Sequence, residues 1–153
     1  MRTILILGIL CASGCASVAT PQLRPLPPDQ GPSAAVDCGD LTSQSAMNDC
    51  FILQARKTEG ILEALLKELD SALDRAEVRA LGDAQERWLA YRRAHCDWDA
   101  PVVGGGSIQP MWWANCMASL TWNRIETLKF HLCEGRGMTG ECAASKRYDL
   151  PRR

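Results

Sequence analysis

The stretch DAQERWLAYRRAHCDWD, residues 83–99, decides the fold. Asp83, with Glu86 three residues on, reads as a capping box, and Gly82 just before it marks a break. Ala84, Trp88, Tyr91 and His95 then recur at three- and four-residue steps. That is the period of one helix face, here an inner stripe flanked by Gln85, Leu89, Arg92 and Cys96. Pro101 and the run Gly104-Gly105-Gly106 end this helix, since both residue types punctuate helical patterns. Upstream, Met47, Cys50, Phe51, Leu62, Leu65, Leu66, Leu69 and Leu73 repeat the same period after a cap at Thr42 or Ser43. Arg56, Lys57, Glu63, Lys67, Glu68, Asp70 and Asp74 fill the opposite face. Gly60 interrupts this run at a cost of about 1 kcal/mol against alanine and is where a bend is expected. Downstream, Pro110 opens a third helix at a favoured first-turn position, with Trp113, Cys116, Met117, Leu120, Arg124 and Leu128 facing inward. No segment alternates with the period of a strand. The expected fold is all-α: an antiparallel three-helix hairpin or bundle, with a Gly-rich loop between helices 2 and 3.

Composition narrows the function classes. A chain of 153 residues suits one domain. With 46% apolar and 23% charged residues it is neither a disordered tail nor a channel. A net charge of -1 argues against a general nucleic-acid binder, which needs a basic excess. The near-zero total hides an asymmetry. Residues 37–132 hold 14 acidic and 10 basic side chains, a net of -4, while Lys146, Arg147, Arg152 and Arg153 make the C-terminus basic.

Eight cysteines point to metal or to an oxidising compartment. Met1-Arg2 and the apolar run from Thr3 to Ala12 read as a signal-peptide core, shorter than the roughly 20 residues a span requires. Ala12-Ser13-Gly14-Cys15 resembles a bacterial lipobox with Ala12 at the usual leucine position. Residues 1–14 are therefore expected to be a lipoprotein-type signal peptide, with Cys15 acylated. Ordinary secretory cleavage nearby is the competing reading. Ala16 in place of aspartate favours the outer membrane, by resemblance to Gram-negative lipoproteins. Residues 15–36, with Pro21, Pro25, Pro27, Pro28 and Pro32, form a lipid-attached linker of polyproline character. The expected location is the periplasmic side of the cell envelope, with the membrane contacted through the lipid alone.

Six cysteines then remain: Cys38, Cys50, Cys96, Cys116, Cys133 and Cys142. An even number in an exported chain reads as a disulfide set. An up-down-up arrangement brings Cys38, Cys50, Cys96 and Cys116 to one end. Cys38–Cys50 with Cys96–Cys116 fits this arrangement, and so does Cys50–Cys96 with Cys38–Cys116. Cys133 and Cys142 are expected to pair around Gly135, Gly137 and Gly140, closing a looped tail over residues 133–153. Zinc and redox chemistry fit poorly, because no CxxC pair is present. His95 and His131 lack a nucleophile motif, and no phosphate loop exists. The reading is of a non-enzyme without cofactor or metal.

Ser43-Gln44-x-x-Met47-Asn48-x-Cys50, Gln85-x-x-Trp88-x-x-Tyr91-Arg92-x-x-x-Cys96, Gly105-Gly106-Ser107, Cys116 and Thr121-x-x-Arg124-x-x-x-Leu128 together resemble the LprI-like lysozyme-inhibitor family over roughly Cys38 to Leu132. Glu59, Leu62-Glu63 and Leu66 stand where the family often shows Asp, Leu-Asn and Tyr, and Tyr91-Arg92-Arg93 replaces Tyr-Arg-Asp. The resemblance implies a helical domain at residues 37–132 that binds and inhibits a c-type lysozyme. Such animal enzymes are typically basic, which suits the acidic body.

The motif residues Gln85, Trp88, Tyr91, Arg92, Thr121 and Arg124 read as structural. An arginine on an apolar stripe must find acceptors, because an unpaired buried charge is costly. The candidate contact set is Arg93, His95, Gly105, Gly106, Ser107 and Trp112. A small-residue loop can enter a cleft that carries two carboxyl groups, offering Ser107 and backbone N–H donors, with Arg93 beside them. Trp112 and Trp113 point about 100° apart on a helix, which leaves one to cover the loop base or to stack on a sugar. A structural or peptidoglycan-binding envelope module is the competing function.

Overall fold

A computed structural model describes residues 38–133 and 142–149. The leader, Cys15, the proline-rich linker, the tail glycines, Arg152 and Arg153 lie outside them. Among the described residues every regular element is helical, as the periodicity predicts. The long elements are α1 (Gln44–Ala72), α2 (Arg75–Asp99) and α3 (Gln109–Leu128), followed by the short α4 (Ala143–Lys146). Short 3-10 turns cover Cys38–Asp40, Ala100–Val103 and Lys129–Leu132. No helix among these is long and apolar enough to cross a membrane.

The start of α2 corrects the sequence reading. The Asp74 carboxylate accepts from the backbone N–H groups of Ala76 and Glu77, at 2.8 and 2.9 Å. Glu77 in turn accepts from the Asp74 N–H at 3.1 Å. This reciprocal box satisfies donors that a helix start otherwise leaves orphaned. The helix therefore begins well before Asp83 and runs through Gly82, whose cost of about 1 kcal/mol is offset by packing of Leu81 against the core. Gly60 likewise sits inside an unbroken α1. Ser43 caps α1, its hydroxyl accepting from the Ala46 N–H at 3.2 Å.

Two apolar clusters make the core. Leu62, Leu65, Leu69, Ile125 and Leu128 form one, with Trp88 and Trp122 packed against it. Ala55, Cys96, Ala114 and Met117 form the other. Passing from the second cluster to the first, residue numbers rise along α1 and α3 and fall along α2. Burial of each large side chain contributes about 1.5–3 kcal/mol.

Three disulfides are formed: Cys38–Cys50, Cys96–Cys116 and Cys133–Cys142. The pairing is thus the one that ties the loop between α2 and α3 across its own base. Each bond contributes about 2–4 kcal/mol. The C-terminal segment folds back onto the body. Tyr148 donates its hydroxyl to Glu68 at 2.6 Å, and Arg147 pairs with the same carboxylate. The buried Lys129 ammonium meets Asp149 at 2.5 Å and Glu126 at 2.8 Å. Burial alone would lower the Lys129 pKa, but its hydrogen bonds and attraction to Asp149 and Glu126 outweigh this and raise it.

Candidate functional site

The loop that follows α2 is built from residues that tolerate unusual backbone. Gly104, Gly105 and Gly106 all have left-handed φ, at 75°, 79° and 80°. Such angles cost an L side chain about 1–2 kcal/mol each. A Cβ on Gly105 would meet nothing closer than the Gln109 Oε1 at 3.7 Å. Backbone conformation, rather than space, therefore demands glycine at this point.

The base of the loop is pinned on several sides. Cys96–Cys116 joins the last turns of α2 to the first turns of α3. The Trp112 indole N–H donates to Asp99 at 2.9 Å, and the Trp113 indole N–H donates to Asp97 at 2.8 Å. From α1, Asn48 donates its amide to the Ser107 carbonyl at 2.8 Å. Gln44 donates to the Asn48 side-chain carbonyl at 3.0 Å, holding that amide in place. Asp97, Asp99 and Asn48 complete the loop mount although sequence reasoning did not assign them to it. A signal existed: two adjacent indoles need two acceptors, and Asp97-Trp98-Asp99 stands just before the loop.

The contact candidates divide into separate groups. Gly105, Gly106 and Ser107 sit in the loop, with Trp112 at its base. Arg93 is exposed on α2 and pairs loosely with Asp97 at 3.7 Å. His95 lies elsewhere on α2, between Tyr91 and Trp98, with ring centroids 5.5 and 5.7 Å away.

Tyr91 requires a correction. It does not belong to the inner stripe but is 53% exposed. Ala84 is exposed too, whereas Arg92 and Cys96 are buried. The inner face of α2 is Gln85, Trp88, Arg92 and Cys96, rotated by roughly one residue (about 100°) from the aromatic stripe. Arg92 makes this rotation favourable. It donates to Thr121 Oγ1 and to Glu59, each at 2.7 Å. The Thr121 hydroxyl in turn donates to the Met117 carbonyl at 2.7 Å. The Arg92 guanidinium also lies 5.0 Å from the Trp88 ring.

Arg124 approaches the same ring at 5.7 Å and donates from Nε to Gln85 at 3.1 Å. Burial draws the Arg124 pKa down. Arg92 and Thr121, with Glu59 as their anion, thus form a polar layer between the two apolar clusters, and Gln85 and Arg124 extend it past the Trp88 ring beside the first cluster. Among the described residues, the Arg92 Nε alone is a buried side-chain polar atom without a hydrogen-bond partner.

Comparison with known proteins gives one family and one curated relative. The family model described as lysozyme inhibitor LprI matches residues 38–128. An uncharacterized protein of Rhizobium meliloti (strain 1021) is 30% identical over 106 residues, covering 61% of this chain and 76% of that protein. No solved structure matches.

Proposed function

We propose a function from one premise: the chain belongs to the lysozyme inhibitor LprI family. Our reading is that it acts as an exported envelope protein that binds a lysozyme of the c type and blocks its substrate cleft. In this reading Cys15 carries the lipid, and the proline-rich linker holds the helical domain away from the outer membrane. The carrying observation is the glycine loop mounted on a rigid base. A loop already fixed in its bound shape loses little conformational entropy on binding, and that saving appears as affinity. Its small side chains allow close approach, and its backbone N–H groups suit the carboxyl groups of a glycoside-hydrolysing cleft. The acidic body complements a basic enzyme and speeds encounter.

A second reading, a glycan-binding envelope module without inhibitory activity, draws on a different observation. Lys57, Gly60, Ile61, Ala64, Trp122, Arg147, Tyr148 and Asp149 line a groove of about 480 Å³, within the range of small-molecule sites. One paired experiment separates the readings. Oxidised protein is titrated into a lysis assay on cell-wall substrate, and its retention on peptidoglycan is measured in parallel. Inhibition that is lost when Gly105 and Ser107 are replaced by bulky residues, in a protein that still folds, supports the first reading. Wall retention without any loss of lysis supports the second.

A further inference from the structure

The exposed aromatic ridge on the outer side of α2 has no part in the fold or in the loop mount. Arg87, Tyr91, His95 and Trp98 recur at helical spacing, a ridge about 16 Å long at 1.5 Å rise per residue. Trp98 is 75% exposed and Tyr91 53%. The imidazole of His95 bridges them, with centroids 5.5 and 5.7 Å away. Val102, four residues past Trp98 in the turn that leads into the glycine loop, is also exposed, at 69%. Scattered exposed apolar residues need no explanation. A contiguous row of them marks an interaction surface, and Trp, Tyr and Arg are the residues that dominate such surfaces.

Charge and shape say what the ridge fits. No carboxylate lies on it between Arg87 and Trp98. Asp83 stands one turn before Arg87, and beyond the other end Asp97 and Asp99 accept from the α3 indoles Trp113 and Trp112. On a body of net negative charge the ridge is therefore an aromatic row free of carboxylates, with Arg87 as its one cation. It is also convex, being the crest of one helix. A convex ridge matches a concave partner, whereas a small saccharide needs a concavity in the protein that binds it. The substrate cleft of a lysozyme is a concave groove that carries two carboxyl groups.

We propose that the ridge Arg87–Tyr91–His95–Trp98, together with Val102, is the surface gripped by the saccharide-binding cleft of the target lysozyme, with Trp98 as its anchor. The proposal rests on the inhibitor reading and assigns the contact to side chains which that reading leaves unused. The glycine loop then lies at one end of the buried contact. Arg93, paired with Asp97 away from the ridge, lies outside it.

The test uses the full chain in its oxidised form. Wild type, Trp98→Ala, the Tyr91→Ala/Trp98→Ala double variant and Leu53→Ala are compared for lysozyme binding, for inhibition and for retention on peptidoglycan sacculi. Leu53 is 42% exposed on α1 and serves as the control. Circular dichroism and thermal melts show whether each variant folds, and the exposure of both aromatic rings leaves the fold intact. The expected result is that Trp98→Ala weakens binding and inhibition about tenfold or more, the double variant further, and Leu53→Ala less than about twofold. If wild type inhibits and Trp98→Ala inhibits equally well, the ridge assignment falls and the inhibitor reading stands. If wild type neither binds nor inhibits lysozyme, both fall. If Trp98→Ala loses sacculus retention while keeping lysozyme binding, the ridge belongs to a glycan and the proposal is overturned.

Discussion

On the inner face of α2, Arg92 donates to Glu59 and Thr121 and lies 5.0 Å from Trp88. On the outer face, Arg87, Tyr91 and Trp98 present the same residue types to solvent. Inside, cation, indole and hydroxyl are nearly saturated by one another and fix the register of three helices. Outside, the same chemistry has no protein partner of that kind among the described residues. The comparison teaches that an Arg-and-Trp motif is structural where its partners are present and a candidate contact where they are absent. The sequence pattern, which interleaves the two rows along one helix, does not separate them.

The sharpest way to break this comparison is to remove the inner cation. Arg92→Met leaves Glu59 and Thr121 without their donor and is expected to cost about 2 kcal/mol, the scale of a hydrogen bond to a charged group, because the remaining Glu59 carboxylate is 38% exposed and can be resolvated. Urea denaturation measures this directly. Loss of inhibition should then track unfolding. A fully stable Arg92→Met variant would remove the structural reading of the inner face.

Opening the loop mount comes next. Replacing Cys96 and Cys116 by alanine is expected to cost about 2–4 kcal/mol and to weaken inhibition even at temperatures where the domain remains folded. Melting curves and a lysis assay at low temperature separate these effects. Unchanged inhibition in the folded variant would mean that loop rigidity is irrelevant to binding.

The chain has two tyrosines, one on each side of the distinction. Tyr91→Phe is expected to leave stability unchanged. Tyr148→Phe loses a hydrogen bond to a charged partner, worth about 1.5 kcal/mol at most for a half-exposed group. The Tyr148 pKa is pushed up to about 12, first by burial and then by its hydrogen bond to Glu68 and the charge of that carboxylate, with Arg147 opposing. A raised pKa gives stability that is intact below the unfolded value of about 10. That stability is lost as pH rises through the folded value. Wild type should therefore lose more stability than Tyr148→Phe in melts between pH 10 and 12. Equal losses would contradict the docked tail.

The smallest effect belongs to Arg93→Ala. Its ion pair is exposed at both ends, so stability should change by less than about 0.5 kcal/mol, and inhibition should not change. A strong loss of inhibition would return Arg93 to the contact surface.

The helical fold was legible because leucines at three- and four-residue steps permit little else. The start of α2 was not. Gly82-Asp83 imitates a helix boundary, and only the packing of Leu81 and the reciprocal bonds of Asp74 and Glu77 show that the helix has already begun. The inner stripe was misplaced because aromatic residues were expected inside and arginine at the flank. Glu59, distant in sequence, reverses that preference by neutralising Arg92 in the interior. In the candidate site the glycines announced their loop, while its mount depends on Asn48, Asp97 and Asp99. Their partners are set by tertiary contact and not by spacing along the chain.

The most direct measurement of the central claim is calorimetric titration of lysozyme with the oxidised protein, in the presence and absence of a chitooligosaccharide that fills the enzyme's cleft. The expected result is mutual exclusion: binding by the free enzyme, and apparent affinity that falls as saccharide concentration rises. Binding that is unaffected by a filled cleft would contradict cleft blocking, and absence of binding to the free enzyme would contradict the inhibitor reading itself.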